Sequence, residues 1–249
     1  MYTNKKIKIL IEKFTGLHVY RTLPRGIEFF KDLKITIPDY MPEIIFDVGA
    51  HYGEAAYLFN AKCPAAQIYC FEPASKNFEI LLSEVRKFKN VKCFRIALSS
   101  KTGDENIIVD GRSDMFHLAN ENDKIQRSNN ALTEKIKVET IDSFCNVHKI
   151  EKINFLKVDT EGMDLEVLKG AEKFLRNQKI DFIQVEASMN VLNRYHVSFE
   201  VFKEFFEQYN YLLFGLYEQM NEWIDKKINL RRTNPVFVSQ KIVESFPAK

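Results

Sequence analysis

The run Ile44-Ile45-Phe46-Asp47-Val48-Gly49-Ala50-His51-Tyr52-Gly53 restricts what this chain can fold into more than any other stretch. Bulky apolar residues lead into an acid, two glycines follow four positions apart, and Glu54-Ala55-Ala56-Tyr57-Leu58-Phe59 opens a helix. A short apolar run closed by glycine is the pattern of a strand buried on both faces. Strand, glycine turn and helix N-terminus together form a cradle for a nucleotide or cofactor. Glycine admits close backbone approach, and the first helical N–H groups have no partner inside the helix. The spacing is G-x-x-x-G with Asp47 ahead of it, not the G-x-G-x-x-G of dinucleotide enzymes.

The next apolar run, Gln67-Ile68-Tyr69-Cys70-Phe71, ends in Glu72-Pro73. An acid at the tip of the second strand, roughly 20 residues past the glycines, is placed to accept hydrogen bonds from both ribose hydroxyls. Pro73 lacks an N–H and ends the ladder there. The bland alternative is a pair of ordinary surface acids at strand ends. The glycine turn joining Asp47 to Glu72 weighs against it.

From Ile44 onward strands alternate with helices, which predicts a parallel sheet with helices on both faces. The pattern predicts strands over 91–98, 153–158 and 181–186. It predicts helices over 54–60, from an N-cap at Ser75 through Val85, over 164–175, and after a cap at Ser198. Residues 100–140 break the alternation. Strand candidates at 105–109 and 136–141 flank a polar stretch over 110–130, the pattern of a β-hairpin insertion carrying a mobile loop. Its tip, residues 111–117, is a candidate to face a substrate.

Ahead of the first strand, Ile7, Leu10, Ile11, Phe14 and Leu17 fall at helical spacing with Lys5, Lys6, Lys8 and Lys13 between them. Such a basic amphipathic helix suits a membrane surface, a partner, or a place on its own domain, and the last is the expectation here. After a break at Leu23-Pro24-Arg25-Gly26, residues 27–33 suggest a second short helix.

Composition excludes some classes. The 249 residues are 45% apolar, enough for a substantial core, and carry 36 basic against 34 acidic side chains for a net charge of +2. No large positive field exists to favour nucleic acid. Cys63, Cys70, Cys93 and Cys145 form no C-x-x-C pair, so neither a zinc site nor a disulfide framework is expected. No apolar run approaches the roughly 18 residues of a membrane span, and no leader pattern is visible. The expected location is cytoplasmic, without a transmembrane segment.

Three blocks, Phe46-Asp47-Val48-Gly49-Ala50-His51-Tyr52-Gly53, Phe71-Glu72-Pro73 and Leu156-Lys157-Val158-Asp159-Thr160-Glu161-Gly162, resemble the signatures of FkbM-type methyltransferases, which are class I S-adenosylmethionine (SAM) enzymes. The resemblance covers roughly residues 44–240. The family usually carries Asn where this chain has His51, whose imidazole still donates a hydrogen bond. The resemblance implies a Rossmann-like class I methyltransferase sheet, mostly parallel with the last strand antiparallel, helices on both faces and a β-hairpin insertion. It implies that residues 1–40 form a helical cap at the cofactor or substrate mouth and that 41–249 form the SAM-binding domain. The last two strands, over 211–216 and 235–239, would make a hairpin-like antiparallel edge.

The resemblance also implies a cofactor site at the carboxyl ends of the strands. Gly49, Ala50, His51 and Gly53 would admit the methionine end by backbone contact, and Asp47 would accept from its ammonium. Glu72, followed by Pro73, would hold the ribose diol. Ala97 would pass near the adenine, and Asp159 would face the reacting methyl.

Methyl transfer needs alignment, exclusion of water and, for an alcohol acceptor, a base. Candidates are Asp159, Glu161, Glu186 and His196. Glu161 is equally a helix-entry acid favoured by the dipole, and a solvated loop residue is the expectation for His196. Asp159, Glu161 and Glu186 offer hard oxygen ligands for Mg²⁺, although carboxylates at a strand rim need no ion and none is expected. Trp223 either lines an acceptor pocket or packs under a loop. Arg231 or Arg232 would suit an acidic or phosphorylated acceptor, with a solvated edge as the preferred alternative.

Together these features predict a SAM-dependent O-methyltransferase, with a sugar, glycan or small-metabolite acceptor implied by the resemblance alone. A nicotinamide-dependent oxidoreductase is the first alternative, opposed by the glycine spacing and by Asp47. A non-catalytic SAM-binding module is the second, opposed by Asp159 and Glu161. An RNA methyltransferase is disfavoured by the balanced charge.

Overall fold

The apolar runs of the sequence become strands because every buried backbone N–H and C=O must find a partner, and a central sheet supplies them. The computed structural model describes residues 2–20, 23–109, 117–118, 133–221 and 228–246. The chain begins with α1 (Tyr2–Thr15) and α2 (Phe29–Thr36), then runs through β1 (Ile44–Val48), α3 (Glu54–Lys62), β2 (Gln67–Phe71), α4 (Ser75–Val85) and β3 (Val91–Phe94). Next come β4 (Ala97–Leu98), β5 (Gly103–Ile108), β6 (His117–Leu118) and β7 (Thr133–Glu139). The remainder is α5 (Ile141–His148), β8 (Ile153–Val158), α6 (Asp164–Lys169), α7 (Glu172–Arg176), β9 (Ile180–Gln184), β10 (Ala187–Ser188), α8 (Phe199–Glu207), β11 (Tyr211–Asn221), β12 (Leu230–Ser239) and α9 (Gln240–Ser245).

The main sheet has the order β10-β12-β9-β8-β1-β2-β3, with β11 paired to the other side of β12. From β3 through β1 to β9 every pairing is parallel, while β12 is antiparallel to both β9 and β11. This is the expected Rossmann-like methyltransferase sheet. The last two strands make the expected antiparallel, hairpin-like edge: β12 lies inside the sheet, with Val236 and Phe237 buried, and β11 closes it.

Two apolar layers cover the sheet. On one face Phe46, Val48, Leu156 and Val158 meet Phe144 of α5, Leu168 of α6, Leu175 of α7 and Phe206 of α8. On the other, Ile45, Ile68 and Phe155 meet Leu33 of α2, Phe59 of α3, Leu81 of α4 and Ile242 of α9. Alternation along β1 therefore feeds both cores, as expected of a strand buried on both faces. All four cysteines are free thiols, and Cys63, Cys70 and Cys145 are buried in these layers.

Several local expectations are corrected. The strand expected over 91–98 divides: 91–94 stays in the main sheet, and 97–98 joins β7 in a second sheet of order β4-β7-β5-β6. The hairpin insertion is thus the core of a sheet of its own. The helix at Ser75 is preceded by Ala74, which has no capping side chain; instead Glu134 of β7 accepts from Ser75 N at 3.2 Å and Ser75 Oγ at 3.0 Å. The helix expected over 164–175 breaks at Gly170, where a Cβ would lie 2.0 Å from the Ser99 carbonyl oxygen. The second piece, α7, is capped from outside by Asp142, whose carboxylate accepts from Lys173 N and Phe174 N. The strand expected over 181–186 ends at Gln184 as β9, and Ala187–Ser188 follow as the short β10.

The leading helices separate in role. Phe29 of α2 is buried and stacks on Phe155 with ring centroids 4.8 Å apart, and Asp32 accepts from Gly26 N and Tyr217 Oη. That helix is part of the core. By contrast α1 is not docked on its own domain as expected: Ile7, Leu10, Ile11 and Phe14 are all exposed. No described helix is long and apolar enough to cross a membrane. Residues 111–116 of the insertion tip and Trp223 lie outside the described residues.

Candidate active site

The carboxyl ends of β1, β2, β8 and β9 open on one cavity of about 460 Å³. That volume falls within the roughly 300–1,000 Å³ of small-molecule sites. Its wall includes Gly49, Ala50, His51, Glu72, Pro73, Ala97, Asp159 and Glu161 from among the expected residues. Asp47 and Gly53 stand behind it, and Glu186 and His196 lie outside it. No described residue before Val48 lines the cavity.

The turn after β1 is set by its neighbours. Gly49 has φ +79°, and a Cβ there would sit 1.9 Å from the Asp159 carbonyl oxygen. Only glycine lets the β1 and β8 ends pass this closely. The Gly49 and Ala50 N–H groups both donate to Phe71 O, so the turn folds back on β2 instead of pointing its donors into the cavity. His51 also takes a left-handed conformation, φ 47°, and stacks on Tyr52. Gly53 caps α3 at φ +96° with Leu81 and Val85 against it, a packing position.

Glu72 ties the two cradle loops together. One carboxylate oxygen accepts from His51 N and the other from Ala74 N, both at 3.0 Å. Burial pushes its pKa up to about 7, and the two backbone donors pull in the opposite direction without cancelling it.

At the β8 end Lys157 stands between two acids. Its ammonium is 3.0 Å from Asp159 Oδ2 and 3.6 Å from Asp47 Oδ1. Burial works against the lysine's charge, but the carboxylates of Asp159 and Asp47 outweigh it and hold its pKa above the ordinary value. Burial likewise opposes ionisation of Asp159, and there the Lys157 charge and hydrogen bond win, so its pKa is lowered. Asp47 goes the other way. It is fully buried, neither oxygen has a hydrogen-bond partner, and burial raises its pKa against the pull of Lys157.

Beyond Asp159 the chain turns sharply. Glu161 has φ 50° and Gly162 φ +93°, and a Cβ on Gly162 would meet Tyr195 O at 2.3 Å. Such left-handed geometry at a non-glycine residue is strain of the kind found at functional sites. The helix-entry position expected for Glu161 is occupied instead by Asp164, which is buried and accepts from Thr160 N and Oγ1 and from Glu186 N. Burial pushes Asp164 up to about 7.

Glu186 and His196 make a buried cluster beside Glu161. His196 Nε2 is 2.5 Å from Glu186 Oε2, and its Nδ1 is 3.0 Å from Asn193 Oδ1. The His196 side chain is buried, not solvated as expected, and burial lowers its pKa. Arg232 donates to the other Glu186 oxygen, and Arg231 is also buried, so the arginines are not on a solvated edge. Glu161, Glu186 and His196 bring ligand atoms within 4.8 Å of one another. A cation there would compete with the Arg232 guanidinium already on Glu186, which opposes Mg²⁺ at this cluster.

Residues not singled out as site candidates also line the cavity: Lys157, Gln184, Asn77, Met163, Glu54 and Glu218. Lys157 and Gln184 carried a signal, since each is a polar residue inside an otherwise apolar strand. Glu218 carried none. It comes from β11 with φ 48°, accepts from Asn234 Nδ2 at 2.8 Å, and has its pKa raised by burial.

The methyltransferase FkbM domain matches residues 47–213 of the chain. The 2-O-methyltransferase NoeI of Sinorhizobium fredii is 27% identical over 158 residues, which are 58% of this chain and 63% of that protein. The hexuronic acid methyltransferase AglP of Haloferax volcanii is 31% identical over 150 residues, 60% of this chain and 57% of that protein. The matched part is thus about three fifths of the length of these curated relatives. Among solved structures, Aeropyrum pernix fibrillarin with natively bound S-adenosyl-L-methionine aligns over 93% of this chain and 74% of that chain, at 13% identity and a TM-score of 0.44, too weak a likeness to carry an argument.

Proposed function

The chain belongs to the FkbM methyltransferase family, and on that premise we propose that it transfers a methyl group from SAM to a hydroxyl of a sugar or glycan. One observation carries the reading: Glu72 and Asp159 face a single cavity from two strand ends, with the apolar Phe71, Ile96, Leu98 and Ile107 in the same wall. An acid beside apolar surface fits an adenosine, whose ribose needs acceptors and whose base needs a dry flat wall. The acids Asp159, Glu161, Glu54 and Glu218 fit the cationic end of the same cofactor. The names of the two curated relatives, a 2-O-methyltransferase and a hexuronic acid methyltransferase, support oxygen as the acceptor atom and a sugar acid as the acceptor class.

SAM supplies a methyl carbon bound to a sulfonium, which departs as a neutral thioether. The residues of the chain do the remaining work. Glu72 accepts from the ribose hydroxyls with its second lone pairs while keeping its bonds to His51 N and Ala74 N. His51 and Ala50 border the methionine end, and Ala97 with Ile96 borders the adenine. Asp159, kept ionised by Lys157, accepts the hydrogen bond of the acceptor hydroxyl and fixes its lone pair toward the methyl carbon. Its lowered pKa makes it a weak base. Glu161, on the strained turn beside the Glu186–His196 pair, is the proton acceptor in this reading.

Calorimetric titration with SAM, S-adenosylhomocysteine and NAD tests the cofactor assignment. Saturable binding of the first two without the third is the expected result. The acceptor class is then tested by incubation with SAM and uronic-acid oligosaccharides, followed by mass spectrometry for an added methyl group. Binding of NAD alone would sink the proposal.

A further inference from the structure

We infer that α1 is a peripheral anchor that lays its apolar stripe on an anionic membrane surface. At 100° per residue Ile7, Leu10, Ile11 and Phe14 fall on one side of the helix. Their exposure is high, 59% for Leu10 and 81% for Phe14, and Leu17 just beyond the helix is equally open at 68%. None of these stripe residues belongs to either buried layer of the sheet. Among the described side chains the charged contacts of α1 stay local: Lys8 with Glu12, His18 with Glu12, and Lys8 over the Tyr20 ring at 4.8 Å.

Charge decides between occupants. Lys5, Lys6, Lys8 and Lys13 outnumber Glu12, the one acid of the helix, and Lys8 and Lys13 fall on opposite flanks of the apolar stripe. Lysines in flanking positions reach out along their aliphatic stems to the headgroup level while the stripe enters the boundary between headgroups and acyl chains. A second copy of the helix would bring like-charged flanks together. An anionic lipid surface neutralises them, and its attraction for basic segments falls off within a Debye length. The inference does not depend on the reaction proposed above.

The test uses the full chain in flotation assays with vesicles of phosphatidylcholine alone and of phosphatidylcholine with about one third phosphatidylglycerol. The expected bound fraction is about ten-fold higher on the anionic vesicles, falling in high salt as screening shortens the reach of the lysines. Leu10→Asp with Phe14→Asp abolishes binding, and Lys8→Glu with Lys13→Glu abolishes the preference for anionic lipid. Both variants keep the melting temperature and the S-adenosylhomocysteine affinity of the parent, because neither touches the cavity. No flotation with anionic vesicles overturns the inference, as does equal binding to both vesicle types. Concentration-dependent dimers lost in the Leu10→Asp, Phe14→Asp variant, without lipid binding in the parent, would also overturn it and assign the stripe to self-association.

Discussion

Asp47 and Lys157 are register partners on β1 and β8, and the lysine ammonium lies 3.6 Å from the Asp47 carboxylate, whose oxygens have no hydrogen-bond partner. Lys157 lines the cavity while Asp47 stands behind it, and the same ammonium reaches Asp159 in the cavity wall. Lys157 thus links the fully buried acid to the cavity acid.

Replacing that lysine should be costly. Lys157→Met leaves Asp47 and Asp159 without their counter-charge, and a destabilisation of about 3–5 kcal/mol is expected for removal of one partner of a buried ion pair. Urea unfolding measures it. A loss below about 1 kcal/mol would mean that solvent, not Lys157, balances these acids.

Glu72 gives a pH signature. Its folded pKa of about 7 lies above the ordinary 4.5, so the native state holds the extra proton between those values, and stability contributed by this group falls as pH rises through that window. If ionised Glu72 receives the ribose hydroxyls, binding of S-adenosylhomocysteine must first remove that proton below pH 7. Affinity should then rise by up to about ten-fold per pH unit toward pH 7 and level off above it. Calorimetry across pH 5.5–8.5 checks this, and Glu72→Gln should flatten the profile. A flat profile in the parent protein removes Glu72 from cofactor binding.

Asp159→Asn keeps the side-chain shape but loses the charge that holds Lys157. Turnover is expected to drop by at least about ten-fold, corresponding to 1.4 kcal/mol or more, with a smaller change in S-adenosylhomocysteine affinity. Single-turnover kinetics and calorimetry separate the two. Full activity in the variant would take Asp159 out of the mechanism.

Gly49→Ala places a methyl where the Asp159 carbonyl already lies and requires a left-handed alanine. Strain and displaced backbone together should cost roughly 2–4 kcal/mol and weaken cofactor binding. Thermal melting with and without S-adenosylhomocysteine reads both effects. An unchanged melting temperature would show that the β1 and β8 ends separate at little cost.

Local signals carried much of the fold into view. The apolar runs ending in Gly49 and Glu72 became adjacent parallel strands, and Ser198 caps its helix as its position suggests. Expectations failed where a distant group took over a local role. Glu134 from β7 caps the helix that Ser75 was expected to cap, and Asp142 caps the piece of helix that Gly170 splits off. His196 reads as a solvated loop residue, yet its side chain is buried against Glu186.

By itself the sequence determined the strand–glycine–helix order, the acid at each strand tip and the family, since these depend on residue types within a few positions of one another. Tertiary structure alone decided which charges meet. Lys157 balances Asp47 because β8 pairs beside β1 in one register, and Arg232 meets Glu186 because β12 inserts antiparallel next to β9. Glu218 reaches the cavity from a strand with no local mark of a site. Electrostatic partners are chosen by distance in space, and strand order and register, not spacing along the chain, set that distance.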